Sequence, residues 1–93
     1  MKYGNAKEGV IMIDRTKVEL SEYEDRLLDT IESNINFFNQ GKFRTNQLYV
    51  KLYVDNGNRA NLYKGQMKIC TDMTLDQLFW AVVGISNYNR KGY

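Results

Sequence analysis

Apolar residues recur every three or four positions in two segments of the chain, the spacing that places them on one face of a helix. The first stripe consists of Tyr23, Leu27, Leu28, Ile31, Ile35 and Phe38. Ser21 and Glu24 precede it in a capping-box pattern, in which each side chain can bond the backbone amide of the other residue. Gly41 follows it as a stop signal. The sequence therefore predicts a helix from about Glu22 to Gln40.

Thr74 and Gln77 form a second capping box at the start of a second apolar stripe. This stripe consists of Leu75, Leu78, Phe79, Val82 and Ile85, with Trp80 and Val83 towards its edges. The pattern predicts a second helix with one buried face, on which the large apolar area of Trp80 favours a core or half-buried position. Residues 87–93 are polar and basic, and we expect them to form a tail.

Strict alternation between Gln47 and Asp55 is typical of a half-buried strand. One face carries Leu48, Val50, Leu52 and Val54, and the other carries Tyr49, Lys51 and Tyr53. After a turn-rich connection that begins at Asn56, a second strand is predicted from Leu62 to Cys70, with Gly65 as a bulge or a packing gap. Its alternation places Lys64, Gln66 and Lys68 on one face and Tyr63, Met67 and Ile69 on the other.

The N-terminal region is less regular. Residues 1–8 are polar and are expected to form a mobile arm. Gly9 to Ile13 is apolar and β-branched, which predicts a short central strand, and Val18 to Leu20 is either a second short strand or an extended lead into the helix. Together these elements predict an α+β fold, in which two helices pack on one face of a small antiparallel sheet.

Length and composition support one compact domain that covers residues 1–93. Of the 93 residues, 43% are hydrophobic and 26% are charged, as in ordinary globular proteins. No apolar run approaches the ~18 residues that a membrane span requires. Gly9 to Ile13 is too short to act as a signal peptide. We therefore expect a cytoplasmic protein that does not bind membranes.

The residue types that most enzymes require are missing. The sequence has no histidine and a single cysteine, Cys70, so neither a zinc ligand set nor a Ser–His–Asp or Cys–His mechanism can be assembled. No glycine-rich phosphate loop is present. Asp25, Asp29 and Glu32 could hold a hard cation, but an exposed polar helix face accounts for them more simply. We expect no catalysis, no cofactor and no bound metal.

Two surfaces remain as candidates for binding. The first is an aromatic and basic face of the sheet with its neighbouring turns, formed by Tyr49, Lys51, Tyr53, Lys64, Lys68, Arg44 and Arg59. Rings for stacking and cations for phosphates suit single-stranded nucleic acid, while tyrosine and arginine also dominate protein interfaces. The second is an acidic stripe on the first helix, formed by Glu22, Asp25, Asp29 and Glu32. It could dock on a basic groove, although a solubilising face is the simpler interpretation.

These features indicate a small non-catalytic binding module with a protein partner. Abundant asparagine, lysine, isoleucine and tyrosine, with no proline, is typical of AT-rich coding sequences. Together with the small size, this composition suggests an inhibitor, encoded by a phage or mobile element, that blocks a bacterial defence protein. A nucleic-acid-binding regulator that uses the Tyr/Lys face is the alternative. A homodimer that pairs through its sheet edges is also left open.

Overall fold

The computed structural model of the protein describes residues 11–90, with side chains as far as Tyr88. Its elements are helix α1 (Glu22–Asn39), a single 3-10 turn (Arg44–Asn46), strands β1 (Leu48–Val54), β2 (Asn58–Lys64) and β3 (Met67–Met73), and helix α2 (Leu75–Arg90). The strands form one antiparallel sheet in the order β1-β2-β3, and both helices pack on it. The predicted α+β fold is confirmed.

Both capping boxes are present. The Ser21 hydroxyl accepts from the Glu24 amide at 3.1 Å, and the Glu24 carboxylate accepts from the Ser21 amide at 3.0 Å. Thr74 and Gln77 exchange the same two bonds at 3.1 and 2.9 Å. Helix α1 ends at Asn39, one residue before the predicted end. Helix α2 continues to Arg90, so residues 87–90 are helical where a tail was expected.

The core lies between the helices and one face of the sheet, which we call the inner face. The fully buried large side chains include Leu28, Ile31, Ile35, Leu48, Leu62, Leu78 and Val82. Along β1 the predicted alternation holds, because Leu48, Val50 and Leu52 are buried while Lys51 is exposed. None of the helices within residues 11–90 has the length and apolar content that a bilayer crossing requires.

The predicted strand from Leu62 to Cys70 is wrong, because it is interrupted by a reversal of the chain. Residues 65–66 form a tight turn between β2 and β3, and Gly65 has the left-handed φ of 61° that the turn requires. Alternation in the sequence continues through this turn and hides it. The β1–β2 turn is also shorter than expected, since β2 already begins at Asn58.

The reversal changes which side chains share a face of the sheet, because directly opposite residues of antiparallel strands point to the same side. Lys64 lies opposite Leu48, so it belongs to the inner face at the exposed end of the sheet. Tyr63 lies opposite both Tyr49 and Lys68. The predicted separation of Tyr63 from Lys68 is therefore wrong, as is the placement of Lys64 beside the tyrosines.

The expected N-terminal strand is not formed in its described part, residues 11–13, and Val18–Leu20 forms no strand either. Side chains of α1 satisfy this backbone instead. Asn36 accepts from the Ile11 amide at 2.7 Å and donates to the Ile11 carbonyl at 3.0 Å, and Glu32 accepts from the Ile13 amide at 2.5 Å. Gly9, Val10, the expected arm 1–8 and residues 91–93 lie outside the described residues.

Asn39 makes a similar pair of bonds at the start of β1. It accepts from the Leu48 amide at 2.7 Å and donates to the Leu48 carbonyl at 3.0 Å, and both residues are fully buried. An unpaired backbone group in such a place costs about 1–3 kcal/mol. The Asn39 amide thus joins the end of α1 to the edge of β1.

We predict that Asn39→Ala lowers the free energy of unfolding by about 3 kcal/mol, because both Leu48 backbone groups lose their partner in the core. Asn36→Ala is the matched control, since Asn36 makes the same two bonds to Ile11 at a half-buried position. We expect it to cost about 1 kcal/mol. Urea unfolding measures both values, and equal losses would contradict the role given to burial.

We also predict that Gly65→Ala costs about 3 kcal/mol or more in urea unfolding. The new Cβ would meet the Thr45 carbonyl oxygen and lie 2.9 Å from the Thr45 carbonyl carbon, in backbone that cannot yield cheaply. Gly41→Ala is the control, because Gly41 has a similar φ of 74° and open space around it. It should cost only about 1 kcal/mol of strain. A mild Gly65→Ala variant would argue against this turn.

Candidate functional site

The sheet face opposite the helices, which we call the outer face, is the main candidate. Register places on it Tyr49, Lys51 and Tyr53 of β1, Arg59, Asn61 and Tyr63 of β2, and Lys68 of β3. All are half-buried or exposed, whereas their strand neighbours Val50, Leu52, Ala60 and Leu62 are buried on the inner face. The outer face is therefore a flat polar and aromatic surface turned away from the core.

A pair of stacked tyrosines lies on this face. Tyr49 and Tyr63 are cross-strand partners, and their rings are 4.8 Å apart between centroids with an interplanar angle of 4°. The Lys51 ammonium lies 5.3 Å from the centroid of the Tyr63 ring, within range of a cation–π interaction. These contacts bring three large side chains together on the outer face.

Asp72 brings a carboxylate to the outer face. It accepts from the Tyr53 hydroxyl at 2.8 Å, and this bond is the main cause of the raised pKa of the Tyr53 phenol. Asn61 accepts from the Asp72 amide at 2.8 Å and from the Thr71 hydroxyl at 3.1 Å. Asp72 adopts a φ of 58° where the register of β3 shifts. Strand alternation in the sequence gives no sign of that irregularity.

The structure brings together most, but not all, of the predicted sheet-face residues. Tyr49, Lys51, Tyr53, Arg59 and Lys68 share the outer face. Arg59 lies opposite Tyr53 and donates from Nε to the Asp55 carbonyl at 3.3 Å. Of the remaining predicted residues, Lys64 lies on the inner-face side and Arg44 is exposed in the 3-10 turn before β1.

The acidic stripe of α1 is largely occupied by a cation from residues 11–20, which we call the N-terminal segment. The Arg15 guanidinium lies 2.6 Å from Asp25, 2.9 Å from Asp29 and 3.6 Å from Glu32, and its side chain is only 23% exposed. Partial burial lowers the pKa of Arg15, but the Asp25 and Asp29 carboxylates raise it more, so the net direction is upward. Arg15 therefore remains charged and holds the segment against the helix.

Arg15 makes the stripe a poor docking surface. Glu22, the fourth member, bonds to Arg26 at 2.7 Å in an exposed pair one turn apart. No group of three or more acidic, cysteine or histidine side chains within residues 11–90 is arranged to hold a metal ion. The sequence does not predict the contact of Arg15 with the stripe, because Arg15 and Glu32 lie far apart in the chain and no local pattern pairs them.

Two further surfaces carry features that the sequence does not predict. Trp80 is 69% exposed, so the expected core or half-buried position is wrong, and its ring meets Phe79 edge-on at 5.1 Å between centroids. A depression of about 510 Å³ lies where the starts of both helices meet the β1–β2 turn. There the Tyr23 hydroxyl donates to Asp76 at 2.7 Å, which raises the pKa of the Tyr23 phenol.

A groove of about 530 Å³ runs along the edge of β1. Ile11 and Met12 line one side of it, and Val50 and Leu52 line the other. Asp14 also lines the groove, and hydrogen bonds from the Thr16 hydroxyl and amide lower the pKa of its carboxyl group. The groove is continuous with the outer face, because Tyr49, Lys51 and Tyr53 line it as well.

The chain matches no protein-family model, no curated protein and no solved structure.

We predict that Arg15→Ala lowers the free energy of unfolding by about 1 kcal/mol, a modest value because Asp25 and Asp29 are more than half exposed. The loss should shrink in concentrated salt, which screens such pairs. Arg26→Ala is the control, since Arg26 makes only the exposed pair with Glu22. It should cost no more than about 0.5 kcal/mol. Urea unfolding at low and high salt measures both, and equal effects would contradict the anchoring role.

Proposed function

We propose that this chain is a non-catalytic protein-binding module that docks on its partner through the outer face of the sheet. The observation that carries the proposal is the stacked pair of Tyr49 and Tyr63 with Lys51 beside it, on a face that neither helix covers. Tyrosine supplies a large amphipathic contact area at low cost in conformational entropy. Rings that are already stacked lose less freedom on binding than free ones.

The charges of the outer face also support a protein partner. Lys51 and Lys68 are exposed, and the Asp72 carboxylate lies on the same side through its bond to Tyr53. Interfaces between proteins commonly place aromatic anchors at the centre and polar or charged groups of both signs around them. A partner surface of mixed charge is therefore the best complement to this face.

Nucleic acid fits the same face less well. Single-stranded nucleic acid requires ring faces that are free to stack on bases. Here Tyr49 and Tyr63 each turn one ring face to the other tyrosine. Asp72 would also oppose a phosphate backbone, although Lys51, Arg59 and Lys68 favour one. Nucleic-acid binding stays the alternative.

The finer form of the proposal is that the module is a phage- or mobile-element-encoded inhibitor that acts in the bacterial cytoplasm and blocks a defence protein. Its support is the small size, the AT-rich type of composition and the missing catalytic residue types. A module of this kind acts by covering a surface that its target needs, which requires binding energy and no chemistry.

The test is capture of a partner by the immobilised protein from lysate of a low-GC bacterium, with nuclease and across a salt gradient. We predict a discrete protein that survives both treatments. Tyr49→Ala should reduce its retention by about tenfold or more, since central aromatic residues dominate interface energies. Tyr88→Ala is the control, because Tyr88 is an exposed tyrosine on α2, away from the outer face.

Circular dichroism must first show that Tyr49→Ala is folded. A folded Tyr49→Ala variant that retains the partner as well as the Tyr88→Ala control would contradict the outer-face site. Retention that disappears with nuclease, or that falls about 10³-fold as salt rises to 200 mM, would support the nucleic-acid alternative instead.

A further inference from the structure

The ladder between β1 and β2 leaves every second residue of β1 with its backbone groups pointing away from β2. At one end, the Gly65 amide donates to the Gln47 carbonyl at 2.9 Å. At the other end, the Asp55 amide donates to the Gly57 carbonyl at 2.9 Å. Both bonds join odd-numbered residues in the register of the sheet. The even-numbered residues of β1 therefore direct their amide and carbonyl groups to the free edge.

The first of these even-numbered residues is already satisfied, because the Asn39 side chain bonds both backbone groups of Leu48. The next three are Val50, Leu52 and Val54. For their edge-directed groups, residues 11–90 supply no hydrogen-bond partner. Val50 and Leu52 line the groove of about 530 Å³ between β1 and the N-terminal segment. The open backbone groups of Val50 and Leu52 therefore face this groove.

The other edge of the sheet, that of β3, is irregular, and natural proteins use such irregularity to discourage strand pairing. Its register against β2 shifts twice, and Asp72 leaves the extended conformation with a φ of 58°. Bulges of this kind twist an edge away from a flat neighbour. The register of β1 runs without a shift from Leu48 to Val54. Of the two edges of this sheet, only that of β1 is regular.

We propose that the edge of β1 from Val50 to Val54 accepts an extended peptide segment of the partner protein as a fourth strand. The inference rests on the proposed function, because it assumes that the partner is a protein, and it names how that partner engages. Main-chain bonds to Val50 and Leu52 supply affinity, and alternate side chains of the peptide supply specificity.

The charges around the groove favour a peptide with acidic side chains. Lys17, Lys51 and Asp14 line the groove, so two ammonium groups and one carboxylate give its lining a net positive charge. A strand added to β1 turns every second side chain towards the outer face, next to Tyr49, Lys51 and Tyr53. An acidic side chain opposite Lys51 is a favourable cross-strand neighbour.

A second copy of this chain is a poorer occupant. If two β1 edges paired, each copy would bring its own wall of Ile11 and Met12 alongside the shared edge, since these residues line the groove. Bonds from Asn36 and Glu32 hold that wall against α1. A single extended peptide brings no such wall to the edge of β1.

The experiment is amide hydrogen exchange followed by NMR on the full chain, with a short synthetic peptide that alternates valine with glutamate. Before addition, the edge-directed amides of Val50 and Leu52 should exchange faster than those of Lys51 and Tyr53. Saturating peptide should slow exchange at Val50 and Leu52 by about tenfold or more and leave Lys51 and Tyr53 unchanged. A peptide that alternates valine with lysine should bind at least about tenfold more weakly.

Val54→Pro is the variant that removes an edge-directed amide without touching a bond to β2, because proline is tolerated where the strand amide faces solvent. Val54 is 60% exposed, so the core is spared. The variant should lower peptide affinity by about tenfold, and the control Val54→Thr, which keeps the amide, should stay within about twofold of the wild type.

Absence of peptide binding at millimolar concentration would overturn the inference, and so would binding that leaves Val50 and Leu52 unprotected. Equal affinities of Val54→Pro and Val54→Thr would also overturn it. Any of these results, with the Tyr49-dependent partner still captured, would remove the edge site and leave the proposed function standing. Peptide binding at β1, with no protein captured from lysate, would remove the proposed function and leave the edge site standing.

Discussion

One buried contact, the pair of hydrogen bonds between the Asn39 amide and the backbone of Leu48, joins the end of α1 to the sheet. A fourth strand could have paired with this end of β1, but a helix side chain does so instead. The bonds bring the last turn of α1 to the start of β1, where Phe38 and Leu48 enter the same core. Asn36 and Glu32 repeat the device on the N-terminal segment, and Arg15 adds a charged anchor to Asp25 and Asp29. Side chains of α1 thus bond both the N-terminal segment and the start of β1.

The binding surfaces follow from this arrangement. Because both helices cover the inner face, the tyrosines of β1 and β2 lie on an outer face that neither helix covers. Because residues 11–20 bond to α1 and form no strand against β1, a groove lies beside Val50 and Leu52. In the same arrangement Arg15 pairs with Asp25 and Asp29, which makes the acidic stripe a weaker competing surface. A partner that added a strand in the groove would continue directly onto the outer face, so one protein could engage both.

Local signals in the sequence predict much of this structure. The capping boxes at Ser21 and Thr74, the apolar stripes and the alternation of β1 all depend on neighbouring residues. The structure confirms them, except that Tyr23 and Trp80 lie exposed. The turn at Gly65 escapes prediction because a two-residue reversal preserves the alternation of the strands on either side. Because the sequence does not reveal this turn, it wrongly predicts Lys64 on the outer face, where the structure has Tyr63. The contacts of Arg15 are not predicted because they join residues that are distant in sequence. The contact of Asp72 is not predicted because this residue has an irregular φ.

The proposed protein partner contacts the outer face and the adjoining edge of β1. The most direct measurement is hydrogen–deuterium exchange by mass spectrometry on this chain, alone and bound to its purified partner. Protection on binding should be concentrated in peptides that cover β1 and β2, with little change in the exposed part of α2 around Trp80. Protection confined to α2, with β1 and β2 exchanging as in the free protein, would contradict this placement of the partner.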